Sequence, residues 1–95
     1  MNKEIKKLWI KALRSGKYKQ IMDTLRNNKG YCCLGVLRSV MKPGDHHSFG
    51  NENSLLTTQQ RNKAGLRKNT CVYLANKNDE GLTFSQIADY IERRL

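Results

Sequence analysis

Asn2-Lys3-Glu4-Ile5-Lys6-Lys7-Leu8-Trp9-Ile10-Lys11-Ala12-Leu13-Arg14-Ser15-Gly16 is the stretch on which the class of fold turns. Ile5, Leu8, Trp9, Ala12 and Leu13 recur at i, i+3, i+4, i+7 and i+8, a spacing that lines one side of an α-helix and neither side of a strand. Asn2 offers a side-chain oxygen to cap the first turn, and Ser15-Gly16 supplies the stop. The bases take other faces. Lys3, Lys7, Lys11 and Arg14 run down one of them, with Lys6 beside it, and Lys17 and Lys19 carry the positive surface past the helix end. Cations in a last turn also complement the helix dipole, so Arg14 has a structural reason to be there as well as a functional one.

Downstream, Ile21 to Leu25 is short and mixed. Asn27-Asn28-Lys29-Gly30 reads as a turn, and Gly30-Tyr31-Cys32 fits the return limb of a small hairpin. From Cys33 the apolar positions Cys33, Val36, Leu37, Val40 and Met41 are helical again, and Gly35 lets a neighbouring element come close. Pro43-Gly44-Asp45 ends that helix, and His46 to Asn53 is a polar loop. Thr57-x-x-Gln60 is a capping box before a short helix closed by Gly65. Asn69 or Thr70 caps the next helix, whose Cys71, Leu74 and Ala75 face inward, and Asn76 to Gly81 is a polar break. A second capping box, Thr83-x-x-Gln86, has Leu82 and Ile87 as its hydrophobic staple. It opens a last helix with Phe84, Ile87, Ala88, Ile91 and Leu95 on one stripe. The expectation is a mainly α fold, a single domain over residues 1–95, with four to five helices and at most one short β-hairpin.

Charge is distributed unevenly along this frame. Eleven of the 18 Lys and Arg lie within residues 1–42, opposed only by Glu4 and Asp23, whereas the remaining seven face six acids. The front of the chain therefore attracts polyanions and the back does not. A chain of 95 residues buries roughly 60–70 % of its extended surface, enough for one core without metal or disulfide. The apolar runs last only a few residues, so nothing spans a bilayer. Lysines break up the start where a signal peptide needs a continuous apolar block. Cys32, Cys33 and Cys71 are odd in number and two are adjacent, which suits buried free thiols. A soluble cytoplasmic protein is expected.

Two long motifs add a resemblance. The first is Trp9-x-x-Ala12-Leu13-Arg14-Ser15-Gly16-x-Tyr18-x-Gln20, followed by Leu25-Arg26 and by Gly30-Tyr31-Cys32-Cys33-Leu34-Gly35-Val36-Leu37. The second is Leu74-Ala75-Asn76-x-Asn78-Asp79-x-Gly81-x-Thr83-Phe84-x-x-Ile87-Ala88-Asp89-Tyr90-Ile91-Glu92. Together they resemble a group of small uncharacterised proteins of bacteriophages and prophages. The segment Lys42 to Leu66 departs from that group: Arg38-Ser39 follows the Val-Leu pair, where members tend to carry an acidic residue or a cysteine and a later tryptophan. The resemblance implies a phage accessory protein working in the host cytoplasm. Such proteins often act by binding: they block a host nuclease, sequester a signalling nucleotide or redirect a host factor.

The chemistry-bearing residues weigh toward binding. The basic front is either a solvated face that keeps a small protein soluble or a polyanion surface made of Lys3, Lys6, Lys7, Lys11, Arg14, Lys17 and Lys19. Tyr18 and Tyr31 lie among these bases, to stack on a nucleobase or to close the edge of the core. A metal site from Cys32, Cys33, His46 and His47 is disfavoured, since adjacent ligands point apart and zinc pairs are usually spaced by two to four residues. No local signature marks a Cys–His nucleophile, and there is no Gly-rich phosphate loop. A helix-turn-helix over Thr83 to Ile91 lacks a following reader, and Asp79, Glu80, Asp89 and Glu92 would repel phosphate. The reading is a non-enzymatic binder without cofactor that antagonises a host process, above all an antiviral defence. It would be an anti-CRISPR-like inhibitor or a nucleotide- or nucleic-acid-binding blocker, gripping a host complex or nucleic acid through Lys3, Lys6, Lys7, Lys11, Arg14, Lys17, Tyr18 and Lys19. The alternative is a nucleic-acid-binding regulator of phage or host genes. A small-nucleotide ligand would favour a homo-oligomer, because so short a chain has little room for a closed pocket beside its core.

Overall fold

Side-chain caps set three of the helix starts. The computed structural model describes residues 1–41 and 56–95. Its elements run α1 (Lys3–Arg14), β1 (Arg26–Asn27), β2 (Gly30–Tyr31), α2 (Cys33–Met41), α3 (Thr58–Ala64), α4 (Lys68–Asp79) and α5 (Phe84–Arg94). This is the mainly helical fold with one short antiparallel hairpin that the patterns predict. Asn2 Oδ1 accepts from the Ile5 N–H at 2.9 Å. Thr57 and Thr83 each close a reciprocal capping box, with Gln60 and Gln86 respectively. The Pro43-Gly44-Asp45 stop and the His46 to Asn53 loop lie outside the described residues.

Two boundaries differ from expectation. α4 begins at Lys68 with Arg67 as its N-cap and no side-chain cap bond, rather than being capped by Asn69 or Thr70. The Leu66 N–H donates to Arg61 O at 2.9 Å, which closes α3 and buries Leu66. The chain leaves that turn extended at Arg67 and can resume a helix at once. At its other end α4 runs on through Asn76–Asp79, where composition suggests a break. The reason is Asn78, which is fully buried.

α2 occupies the centre. Cys33, Leu34, Gly35, Val36 and Leu37 are all buried, so the first half of the helix is covered on every side, with α1, α4 and the hairpin as its neighbours. Gly35 permits this, because a Cβ there would overlap the Leu25 carbonyl oxygen. Trp9 of α1 is fully buried, and its Nε1–H donates to Cys33 O at 2.9 Å. Its polar edge is thereby satisfied while the ring fills the core. α5 supplies Phe84, Ile87, Ala88 and Ile91, the predicted stripe, with Leu95 partly buried against them.

Leu8 departs from the predicted stripe of α1. It is 50 % exposed, and the buried face consists of Trp9 and Leu13 flanked by Ile5, Ile10 and Ala12. α1 packs most extensively on α5, which lies on its Lys6–Ile10 side, so the helix is rotated toward that neighbour and Leu8 turns out of the core.

A polar hub replaces the expected break. Asn78 Oδ1 accepts from Gln20 Nε2 at 2.9 Å and from the Cys33 N–H at 3.2 Å. Asn78 Nδ2 donates to Ile21 O at 2.7 Å. Gln20 Nε2 also donates to Leu82 O at 2.6 Å. The segment carrying Gln20 lies alongside β2, with the Tyr31 N–H on Lys19 O at 2.8 Å and the Ile21 N–H on Tyr31 O at 2.9 Å. One buried side chain thus ties this loop to the start of α2 and the end of α4.

Candidate functional site

The basic residues of the front separate into two groups once α1 is docked. Lys3, Lys7 and Lys11 on α1 and Lys17 and Lys19 beyond it are exposed. Among the described residues none of the five makes an ion pair. Lys6 and Arg14 behave otherwise. Lys6 is half-buried and reaches the Glu92 carbonyl oxygen at 3.4 Å. The Arg14 guanidinium donates to Asp89 at 2.7 Å and to both carboxylate oxygens of Glu92 at 3.3 Å. This fork clamps α1 to α5, with the planar donors matched to two carboxylates. The hydrogen bond to Glu92, and then that to Asp89, push the Arg14 guanidinium above its ordinary pKa. The Arg14 partner holds the Glu92 carboxyl below the usual range.

The pH dependence of the clamp follows from that direction. A carboxyl lowered in the folded state contributes stability above its unfolded pKa and loses it as pH falls through the folded value. Both groups face solvent, so the contribution is small. Glu92→Gln is therefore expected to lower stability slightly at pH 7 and not at pH 2. Urea unfolding at the two pH values checks this, and an equal loss at both would mean that Glu92 acts through packing instead.

Two shallow grooves lie along the free lysines and share Lys11, Ser15 and Lys17. The larger, about 550 Å³, adds Lys7, Ile10, Arg14 and Glu92. The smaller, about 270 Å³, adds Leu8, Ala12 and Tyr18. Ser15 shapes the corner between them: its hydroxyl donates to Ala12 O at 2.7 Å and accepts from the Lys17 N–H at 3.1 Å. Tyr18 meets Tyr31 edge-on, with ring centroids 5.0 Å apart, and Arg26 lies over Tyr31 at 5.4 Å. Both tyrosines are therefore committed at the core edge, and only the half-exposed part of Tyr18 reaches the groove. Periodicity could not reveal the exposure of Leu8 or the place of Glu92 at the groove edge. The Asp89 and Glu92 pair was visible in the sequence, but not the helix it would meet.

This surface offers ammonium donors and an aromatic edge. The thiols lie elsewhere, and the hydrogen bond between the two adjacent ones lowers Cys32 while it raises Cys33. Cys32, Cys33 and Cys71 are buried and free. The adjacent Cys32 thiol, together with burial, pushes Cys33 up, and burial pushes Cys71 up. Neither forms the reactive thiolate readily at neutral pH. Among the described residues there is no group of three or more His, Cys, Asp or Glu that could hold a metal ion, and His46 and His47 lie outside them. Among the same residues no helix is long and apolar enough to cross a membrane.

Comparison with curated proteins and with solved structures found no match. Residues 1–60, more than half of the chain, match a family described as a domain of unknown function (DUF8296), and the chain belongs to that family. The matched region spans α1, the hairpin and α2 and so includes all five free lysines.

Proposed function

We propose that this DUF8296 protein is a phage-encoded, non-enzymatic binder that antagonises a host process in the host cytoplasm, above all an antiviral defence. It acts by occupancy, in the manner of an anti-CRISPR inhibitor or a nucleotide- or nucleic-acid-binding blocker. The observation that carries this reading is the division among the bases. Lys6 and Arg14 are used to hold α1 against α5, while Lys3, Lys7, Lys11, Lys17 and Lys19 project from the surface so fixed. A rigid row of unpaired ammonium groups suits the phosphates of a nucleic acid or the acidic face of a host complex, with affinity drawn from counterion release.

Titration against random duplex DNA at two salt concentrations tests it. The logarithm of the binding constant falls by about 0.9 per phosphate contact for each decade of salt, so engagement of all five lysines gives a slope of about −4.5. Replacing Lys3, Lys7 and Lys11 with Gln, a helix former of similar strength, removes no hydrogen bond or ion pair among the described residues. It is expected to leave the melting temperature in place and to flatten the slope by about 2.7. A variant that binds duplex DNA and an acidic polymer such as heparin as the parent does would refute the surface.

A further inference from the structure

On the opposite flank of α5 from α1, Tyr73 of α4 and Tyr90, Arg93 and Arg94 of α5 line an open cleft of about 480 Å³. Its chemistry is one-sided. Each of the four side chains carries a hydrogen-bond donor, and the lining contains no carboxylate. The rings of Tyr73 and Tyr90 lie 5.1 Å apart at an interplanar angle of 32°, so they stack at a tilt and together make the aromatic wall of the cleft. Lys77 lies beside the wall, with Nζ 5.4 Å from the centre of the Tyr73 ring, but it is paired with Glu80 at 3.4 Å and does not line the cleft.

Helical spacing explains how this cleft escapes the acids of its own helix. Asp89 and Glu92 share the flank of α5 that meets Arg14. Tyr90 and Arg94, four residues apart, share the flank toward α4. Arg93 Nε makes one long bond, 3.4 Å, to the backbone oxygen of Asp89, and its terminal nitrogens have no partner among the described residues. Arg94 is exposed and has no polar partner among the described residues. Tyr73 leaves 43 % of its surface in solvent. Packing does not use these groups fully.

We infer that the cleft binds a mononucleotide, with the tyrosine wall taking the base and Arg93 and Arg94 taking the phosphates. Guanidinium forks match phosphate oxygens in pairs, and an aromatic face stacks on any base. The volume lies in the range of roughly 300–1,000 Å³ that small-molecule sites occupy. A bare anion would leave the tyrosines idle, and an apolar segment would strand two cations. The inference is independent of the α1 surface.

Fluorescence anisotropy with a methylanthraniloyl-labelled ADP tests it on the full chain. Saturable binding is expected, with unlabelled ADP competing at least about tenfold better than adenosine or pyrophosphate, because each of those keeps half the contacts. Arg93→Ala with Arg94→Ala is expected to weaken the probe about tenfold or more. Tyr73→Ser is expected to weaken it about fivefold while leaving competition by pyrophosphate unchanged. All three positions are exposed, and circular dichroism verifies the fold; Arg94→Gln alone serves if the double variant melts early. The lysine variant of α1 should bind the probe normally. No saturation at millimolar probe, unaltered binding by the arginine variant, or loss confined to the lysine variant would each overturn the assignment.

Discussion

Asn78→Leu is expected to remove about 3 kcal/mol or more of stability, a large share of the roughly 5–15 kcal/mol that a domain possesses. Leucine has the same branched skeleton with larger ends, so no cavity forms; the loss comes from the hydrogen bonds, and crowding by the methyls adds to it. The Asn78 amide uses its full capacity of two donors and two acceptor positions. It accepts from Gln20 and from the Cys33 N–H, and it donates to Ile21 O and, at 3.3 Å, to Asp79 Oδ1. Removing it strands the Cys33 N–H in the first turn of α2 and the Ile21 carbonyl, and an unpaired buried polar group costs about 1–3 kcal/mol. Asn78→Asp should not rescue the protein. It retains the acceptors but loses the donor to Ile21 O, and it places a buried charge beside that of Asp79. Urea unfolding measures both variants. A loss below about 1 kcal/mol for the leucine variant would show that the loop at Gln20–Ile21 stands without this hub.

Gly35→Ala sets two effects of opposite sign against each other. Alanine improves helix propensity by about 1 kcal/mol over glycine, which on an exposed helix would stabilise the protein. At this position the new Cβ meets the backbone of Leu25, overlapping its carbonyl oxygen and lying 2.7 Å from its carbonyl carbon. That backbone has little room to withdraw. Its oxygen accepts from the Cys32 N–H at 2.9 Å, and the Leu25 side chain is itself buried. Overpacking of this kind costs about 1–3 kcal/mol, and more where backbone must move. The clash wins, and a net loss of about 2 kcal/mol is expected, read as a lower urea midpoint. A neutral or stabilised Gly35→Ala would mean that α2 and Leu25 do not approach as closely as described.

These two positions differ in how far they could be read in advance. Gly35 declares itself: a glycine inside an apolar helical repeat implies a close neighbour, although not which one. Asn78 is concealed, because Asn76-Lys77-Asn78-Asp79 is uniformly polar and looks solvated. Its burial depends on Gln20, 58 residues away in the chain. The candidate surface shows the same split. Periodicity sorts the lysines onto the outer side of the first helix, but it cannot separate Arg14 from them, since the acids that claim Arg14 lie 75 and 78 residues further on.

Where helices begin and stop was decided locally, within three or four residues. Asn2, Thr57 and Thr83 satisfy amides one turn ahead of them, and a left-handed Gly65 closes α3 whatever packs around it. The orientation of those helices was not a local matter. The exposure of Leu8, the burial of Asn78 and the diversion of Arg14 into a clamp follow from where α5 and α4 settle around α2. Apolar periodicity tolerates a rotation of some tens of degrees, and only a neighbour in space selects among the faces it leaves open.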